Sequence, residues 1–184
     1  MMDAPTIAEV LAETRGGAVV VSTMSVMAFA GQVSDLDFRV LGLMGAAASI
    51  GLGIAVGKPD QDVWVVDGDG SLLMQLGVLA AVVDAAPPRF VHIVVDNGIY
   101  AISGAQPLPG HRDWAKLAEG AGYRACTTCA SAEGFRVALL AGETGPRMVI
   151  AQCSAERPNY PVGAFAFDAG GEADRLRRRL TSSA

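Results

Sequence analysis

Aromatic residues are scarce in this 184-residue chain, with phenylalanine, tryptophan and tyrosine together making up 6%. A core built on stacked rings is therefore excluded, yet 51% hydrophobic residues leave ample apolar material, which excludes a disordered chain. Positive charge is thin as well: 14 basic residues stand against 19 acidic ones, for a net charge of −5. The one basic cluster is Arg175, Arg177, Arg178 and Arg179, expected on the polar side of a final helix. No duplex-binding footprint exists, so no nucleic-acid partner is expected. Cysteines number three, an odd count that fits a reducing, cytoplasmic compartment better than a disulfide framework. Residues 1–13 carry acidic side chains and no apolar h-region, so a secretory signal is not expected. Residues 40–57 run without a charge, but five of them are glycine and four alanine. That composition is too weakly hydrophobic for a membrane span and suits a buried helix preceded by a glycine turn.

What the chain does have is glycine, 22 residues with no collagen period, pointing to close backbone approaches. Short β-branched runs at residues 18–22, 63–67, 90–96 and 148–153 read as strands covered on both faces. Helix-like segments at 6–14, 44–56, 71–84, 113–121 and 131–141 lie around and between them. The 71–84 segment carries Leu72, Leu73, Leu76, Leu79, Ala80 and Val83 on one broad face. This alternation predicts an α/β fold, a three-layer α/β/α arrangement around a mostly parallel sheet. Ligands of such sheets bind beyond the carboxyl ends of the strands, which directs attention to the loops after Ser22, Val40, Asp67 and Asp96.

Asp67-Gly68-Asp69-Gly70-Ser71 sits where the second predicted strand meets a helix, and suits a hard cation joined to a phosphate. An EF-hand starting at Asp67 fails because Leu72 and Val78 occupy its glycine and glutamate positions. A phosphate loop ending at Gly57-Lys58 and a dinucleotide fingerprint fail on Leu52, Pro59 and Val56. A pairing across the next strand does fit: Gly68-Asp69-Gly70, 26 residues, then Asn97. If the two strands are parallel neighbours, Asp69 and Asn97 emerge on one edge and can share a metal. Blander roles stand beside this one. Asp69 could cap a helix, Asn97-Gly98 could be a plain turn, and Met44 could be ordinary core. Cys126 and Cys129 form a CxxC with no second zinc pair, so structural burial is expected. His92 is expected in the core, while His111 is open to either role.

The GDG-x26-N pattern resembles the diphosphate-binding signature of thiamine diphosphate (ThDP) enzymes. The run from Val40 to Gly53 looks like the segment of the same domain that holds the aminopyrimidine ring. The resemblance covers roughly residues 15–160. Within the family the likeness is to the β-subunits, or C-terminal halves, of sulfopyruvate and phosphonopyruvate decarboxylases. It implies a single ThDP diphosphate-binding domain over residues 1–184, with 161–184 as a C-terminal extension. Asp69 and Asn97 would supply side-chain ligands to Mg²⁺ and Ile99 a backbone carbonyl, with diphosphate oxygens and water completing an octahedron. Gly68, Gly70 and Ser71 would lie against the diphosphate. Gly42 and Met44 would hold the aminopyrimidine through backbone groups, with the Met44 side chain beneath the cofactor. Ser22, Thr23 and Ser25 stand where the family has phosphate-contacting hydroxyls, although Met24 departs from its common patterns.

The resemblance also implies an incomplete active site. The family's activating glutamate comes from a pyrimidine-binding domain, and none of the seven glutamates here lies in a segment resembling it. No catalytic residue is assigned to this chain. A pyrimidine-domain α-subunit is the expected partner, in a hetero-oligomer acting as a lyase on a small 2-oxo acid. The loop 101–108 resembles the family's substrate loop, making Ser103 and Gln106 expected contacts with His111 beside them. Ala105 and Leu108 stand where Gly or Asn and Thr are expected, which leaves a sulfonate or phosphonate substrate open. The alternatives are a non-catalytic α/β module that binds a cofactor or nucleotide, and a ThDP carboligase subunit.

Overall fold

The computed structural model describes residues 1–23, 28, 34–157, 159–160 and 165–182. Met24 and Ser25 lie outside the described residues. Six strands form one parallel sheet: β1 (Val19–Thr23), β2 (Asp37–Val40), β3 (Val63–Gly68), β4 (Phe90–Asp96), β7 (Ala125–Cys129) and β8 (Arg147–Gln152). Their order across the sheet is β2-β1-β3-β4-β8-β7, and each neighbouring pair is parallel. A separate antiparallel ribbon, β5 (Ile99–Tyr100) and β6 (Gln106–Pro107), follows β4. The helices are α1 (Ala4–Thr14), α2 (Ala46–Gly57), α3 (Asp69–Leu73), α4 (Val78–Ala85), α5 (Trp114–Ala121), α6 (Ala132–Leu140) and α7 (Ala169–Thr181).

Side-chain alternation along the central strands divides the core in two. Val63 and Val65 of β3 belong to the cluster that includes Ala47, Ala48 and Ala55 of α2, Leu79 and Val82 of α4 and Trp114 and Ala118 of α5. Trp64 and Val66 belong to the opposite cluster, with Ile7, Val10 and Leu11 of α1 and Phe135 and Leu139 of α6. Three layers follow, as predicted. The same alternation separates the CxxC pair, because residues three apart in a strand face opposite sides. Cys126 packs against the first cluster and Cys129 is buried in the second, so the two thiols are structural and not a redox pair.

The predicted helix 71–84 is two helices. Between them the ladder tightens to i→i+3 bonds, from Met74 N to Ser71 O, Gln75 N to Leu72 O and Val78 N to Gln75 O, and Gly77, a weak helix former, lies at the join. Such turns still bring residues three apart to one side, so the apolar spacing reads straight through the break. Two strands of the six-stranded sheet, β2 and β7, lie outside the predicted set, as do the short ribbon strands β5 and β6. In β2, Asp37 and Arg39 mask the strand, but each is paired: Asp37 with Arg15, and Arg39 with Glu172 of α7. Among the described residues, no helix is long and apolar enough to cross a membrane.

Glu172 is the strap that holds the final helix on the sheet edge. It is 1% exposed, and it accepts from the Arg39 backbone N–H at 2.8 Å and Nε at 2.8 Å and also pairs with Nη2. Removing the carboxylate leaves a half-buried guanidinium and a backbone N–H without their acceptor. Glu172→Ala is expected to lower the free energy of unfolding by about 3 kcal/mol, measured by urea denaturation.

Candidate functional site at the carboxyl edge of the sheet

Parallel register sets the geometry. Asp67 of β3 aligns with Val94 of β4, and Gly68 with Val95, so the segments beginning at Asp69 and Asn97 leave the sheet side by side. Asp69 is 2% exposed. Its Oδ1 accepts from the Gly70 N–H at 2.7 Å and its Oδ2 from the Gly98 N–H at 2.6 Å. Gly68 occupies the cap position of α3, and Asp69, its first residue, both takes a first-turn N–H of that helix and reaches across to Gly98. Burial pushes the Asp69 carboxyl up to about 7, against the pull of the Gly98 N–H, and the neighbouring Asp96 carboxyl adds to the rise. The Trp114 indole N–H donates to Asp96 at 3.3 Å.

Asn97-Gly98 is a turn as well as a candidate ligand position. Asn97 Oδ1 accepts from the Ile99 N–H at 3.0 Å, and Gly98 has φ +72°. Ile99 and Pro107 face each other as a non-hydrogen-bonded pair of the ribbon, next to the Leu108 N–H to Gly98 carbonyl bond, so the Ile99 carbonyl points away from the partner strand. Among the described residues, no group of three or more His, Cys, Asp or Glu is placed to hold a metal. A cation here would therefore need the amide of Asn97, a carbonyl and oxygens of the bound group itself. The residues fit that demand: a buried carboxylate beside a second one is the environment a divalent cation relieves.

Of the residues singled out by sequence, Met44, Gly68, Asp69, Gly70, Ser71, Asn97, Ile99 and Ser103 line one pocket, with Val95 and Tyr100 in its wall. A Cβ on Gly68 would enter open space, the kind of cradle a ligand can fill, whereas one on Gly70 would stand 2.8 Å from the Tyr100 ring and 3.0 Å from Leu108. Gly42 is exposed at φ +81° and is not among the lining residues. Neither are Gln106, which donates from Nε2 to Ser103 at 3.2 Å, or the exposed His111. Thr23 is fully buried, and its hydroxyl donates to the Val40 carbonyl at 3.2 Å. Ser22 is also buried.

Sequence reasoning missed a polar chain behind the pocket. Ser71 Oγ accepts from the Gly45 N–H at 2.6 Å and lies 3.2 Å from Asp67 Oδ1; Asp67 Oδ2 lies 3.2 Å from His92 Nε2, and His92 Nδ1 lies 2.9 Å from the Tyr123 hydroxyl. His92 is core, as expected, but core with both ring nitrogens engaged. Strand parity carried the signal: His92 is in register with Val65, and Asp67, two residues on, shares that face.

Two outcomes follow from these geometries. Between about pH 4 and 7 the folded chain holds an Asp69 proton that the unfolded chain has released, so this group's contribution to stability is lost as pH rises. Each unit of such a rise is worth about 1.4 kcal/mol. In denaturation curves without divalent cation, Asp69→Asn should therefore gain on the parent chain from pH 4 to about pH 7 and level off above it. Ala105, where the family resemblance led us to expect Gly or Asn, adopts φ +59°, a left-handed conformation that disfavours a Cβ. Ala105→Gly should raise the unfolding free energy by about 1 kcal/mol, read from the shift in the urea midpoint.

Comparisons with known proteins bear on the family and the fold. The family described as thiamine pyrophosphate enzyme, C-terminal TPP binding domain, matches residues 16–151. The chain is 44% identical over 106 residues to a phosphonopyruvate decarboxylase of Streptomyces hygroscopicus, covering 57% of this chain and 26% of that protein. It covers 30% of the phosphonopyruvate decarboxylase of Streptomyces viridochromogenes, so it spans well under half of these relatives. It is also 31% identical over 136 residues to a sulfopyruvate decarboxylase subunit beta of Methanococcus maripaludis, covering 69% of each chain. Among solved structures, the Rhodococcus jostii thiamine diphosphate-dependent 4-hydroxybenzoylformate decarboxylase superposes with a TM-score of 0.68 at 21% identity, covering 85% of this chain and 33% of that one. That likeness supports the fold. Motif, strand register and fold point the same way, and the chain belongs to the family of the C-terminal TPP-binding domain of thiamine pyrophosphate enzymes.

Proposed function

We propose that this chain is the diphosphate-binding, β-type subunit of a cytoplasmic ThDP- and Mg²⁺-dependent decarboxylase of a small 2-oxo acid, completed by a pyrimidine-domain partner chain. The observation that carries the reading is the buried Asp69 carboxylate. It is fixed by two backbone N–H groups, stands beside Asp96, and opens on a pocket that Asn97 and Ile99 also line. Asp69, Asn97 and the Ile99 carbonyl would hold Mg²⁺, while Gly68 and Gly70 would lie along the diphosphate. Gly42 and Met44 would hold the aminopyrimidine by their backbone groups, with the Met44 side chain forming the wall beneath it.

When bound, ThDP would supply a sink for the electrons released as CO₂ leaves the substrate. This chain's own part is to hold the metal, fix the cofactor's shape and exclude water with Val95, Ile99 and Tyr100. Ser103, the polar side chain of the 101–108 loop that lines the pocket, would contact the substrate, with Gln106 hydrogen-bonded to it and His111 following the loop in sequence. The resemblance to sulfopyruvate decarboxylase β-subunits supports a separate partner, as does α2. That helix carries no charged residue, and Leu43 and Met74, each near a pocket-lining residue in sequence, are 62% and 55% exposed. Large apolar side chains left exposed in this way suit a covering chain.

The chain alone is expected to bind ThDP and Mg²⁺ weakly and to release no CO₂ from any 2-oxo acid. Co-purified with its partner, it should decarboxylate a member of a 2-oxo acid panel only when ThDP is present. Decarboxylation by the purified single chain would overturn the two-chain reading. In the assembled complex, Asp69→Ala should abolish Mg²⁺-dependent ThDP binding by titration calorimetry, and an unchanged affinity would remove Asp69 from the metal site.

A further inference from the structure

We infer that His92 and Tyr123 are positioning residues of this site: through Asp67 and Ser71 they hold the Gly45 turn that presents Met44 to the pocket. The inference rests on the proposed cofactor reading only for what Met44 does, since the linkage itself is geometric. Asp67 and His92 are fully buried, Ser71 is 2% exposed and Tyr123 7%. With water excluded, each polar atom must be satisfied inside the protein.

The donors can be assigned in order. Ser71 Oγ accepts from the Gly45 N–H, so its own hydrogen goes to Asp67 Oδ1. Asp67 Oδ2 accepts from His92 Nε2–H, which leaves His92 Nδ1 as an acceptor for the Tyr123 hydroxyl. Burial raises the Tyr123 phenol above its ordinary range, with Asp67 adding to the effect, so it keeps the proton it donates. A protonated imidazole would instead turn the Tyr123 oxygen into an acceptor and leave its hydrogen in an apolar cluster. The neutral Nε2–H tautomer satisfies all five groups at once.

At the other end of the chain the position is sensitive. Gly45 has φ +79° and begins α2 without a side-chain cap. A Cβ there would stand 2.5 Å from Gln75 Cβ and 2.8 Å from the Ser71 carbonyl oxygen. The turn is therefore pinned by contact on one side and by the Ser71 hydroxyl on the other, and Met44 is the residue immediately before it. With its hydrogen committed to Asp67, the Ser71 hydroxyl has none left to offer a diphosphate, and its role shifts from ligand to brace.

The test is amide hydrogen exchange by NMR on the full chain without cofactor, together with nitrogen shifts of His92. In the unaltered chain His92 should show a protonated Nε2 and a bare Nδ1. Tyr123→Phe and His92→Leu should each accelerate exchange at Gly45 at least tenfold while Val149 in β8 stays protected. His92→Gln, which returns a donor toward Asp67, should restore much of the protection. Unchanged Gly45 exchange in a folded Tyr123→Phe chain, or a His92 proton on Nδ1 alone, overturns the inference. Calorimetric titration of the unaltered chain with its partner by ThDP and Mg²⁺ judges the cofactor reading separately, and Tyr123→Phe should weaken that affinity about tenfold.

Discussion

The hydrogen bond from Gly98 N–H to Asp69 Oδ2 joins two loops that the chain separates by 29 positions, and the site depends on it. It forms because β3 and β4 are parallel and aligned so that Gly68 stands opposite Val95. A parallel pair needs a crossover, and α3 and α4 supply it. A register shifted by one residue would put Asp67 and His92 on opposite faces of the sheet and move Asp69 away from Gly98. The crossover is thus more than a connection. Its first helix begins at Asp69 itself, so strand pairing, helix initiation and the placement of the carboxylate are one event.

Small residues make the surrounding architecture close enough for this to matter. A Cβ on Gly51 would run into Val65 Cγ2, so α2 rests directly on β3 at that point. Gly45 and Gly70 are equally constrained, by Gln75 and by Tyr100 with Leu108. The Gly45 and Gly70 contacts bring the start of α2, α3 and the β5–β6 ribbon together beside the carboxyl end of β3, while Gly51 seats α2 on the body of that strand. The scarcity of aromatics belongs to the same design, because bulky rings would hold these layers apart.

The parallel strands, the helix layers and the Asp69 to Asn97 spacing were legible because each leaves a local trace: a β-branched run, an apolar period, or a glycine pair around a carboxylate. The break at residues 74–77 was not, since i→i+3 turns preserve the apolar spacing that announces a continuous helix. Edge strand β2 escaped because its charges look like loop residues until Arg15 and Glu172 are seen to pair with them. The partners of Asp67 escaped for a different reason. His92 reads as an interior strand residue and Tyr123 falls just past the predicted helix 113–121, and only the sheet order places them within reach of each other. Long-range pairing of polar groups has no period, so it enters through topology.

The substrate loop shows how topology can reassign a residue whose identity departs from expectation. Leu108 takes a place where a hydroxyl is expected, which from sequence alone bears on the substrate. In the fold it is 6% exposed, its N–H donates to the Gly98 carbonyl at 2.9 Å, and its side chain closes over Gly70. It packs beneath the loop and does not line the pocket. Replacing a hydroxyl there changes how firmly the β5–β6 ribbon seats on the turn after β3, not the polarity of the pocket wall. On the reading proposed above, discrimination among 2-oxo acids falls to Ser103 and Ile102, which do line the pocket, and to the covering chain.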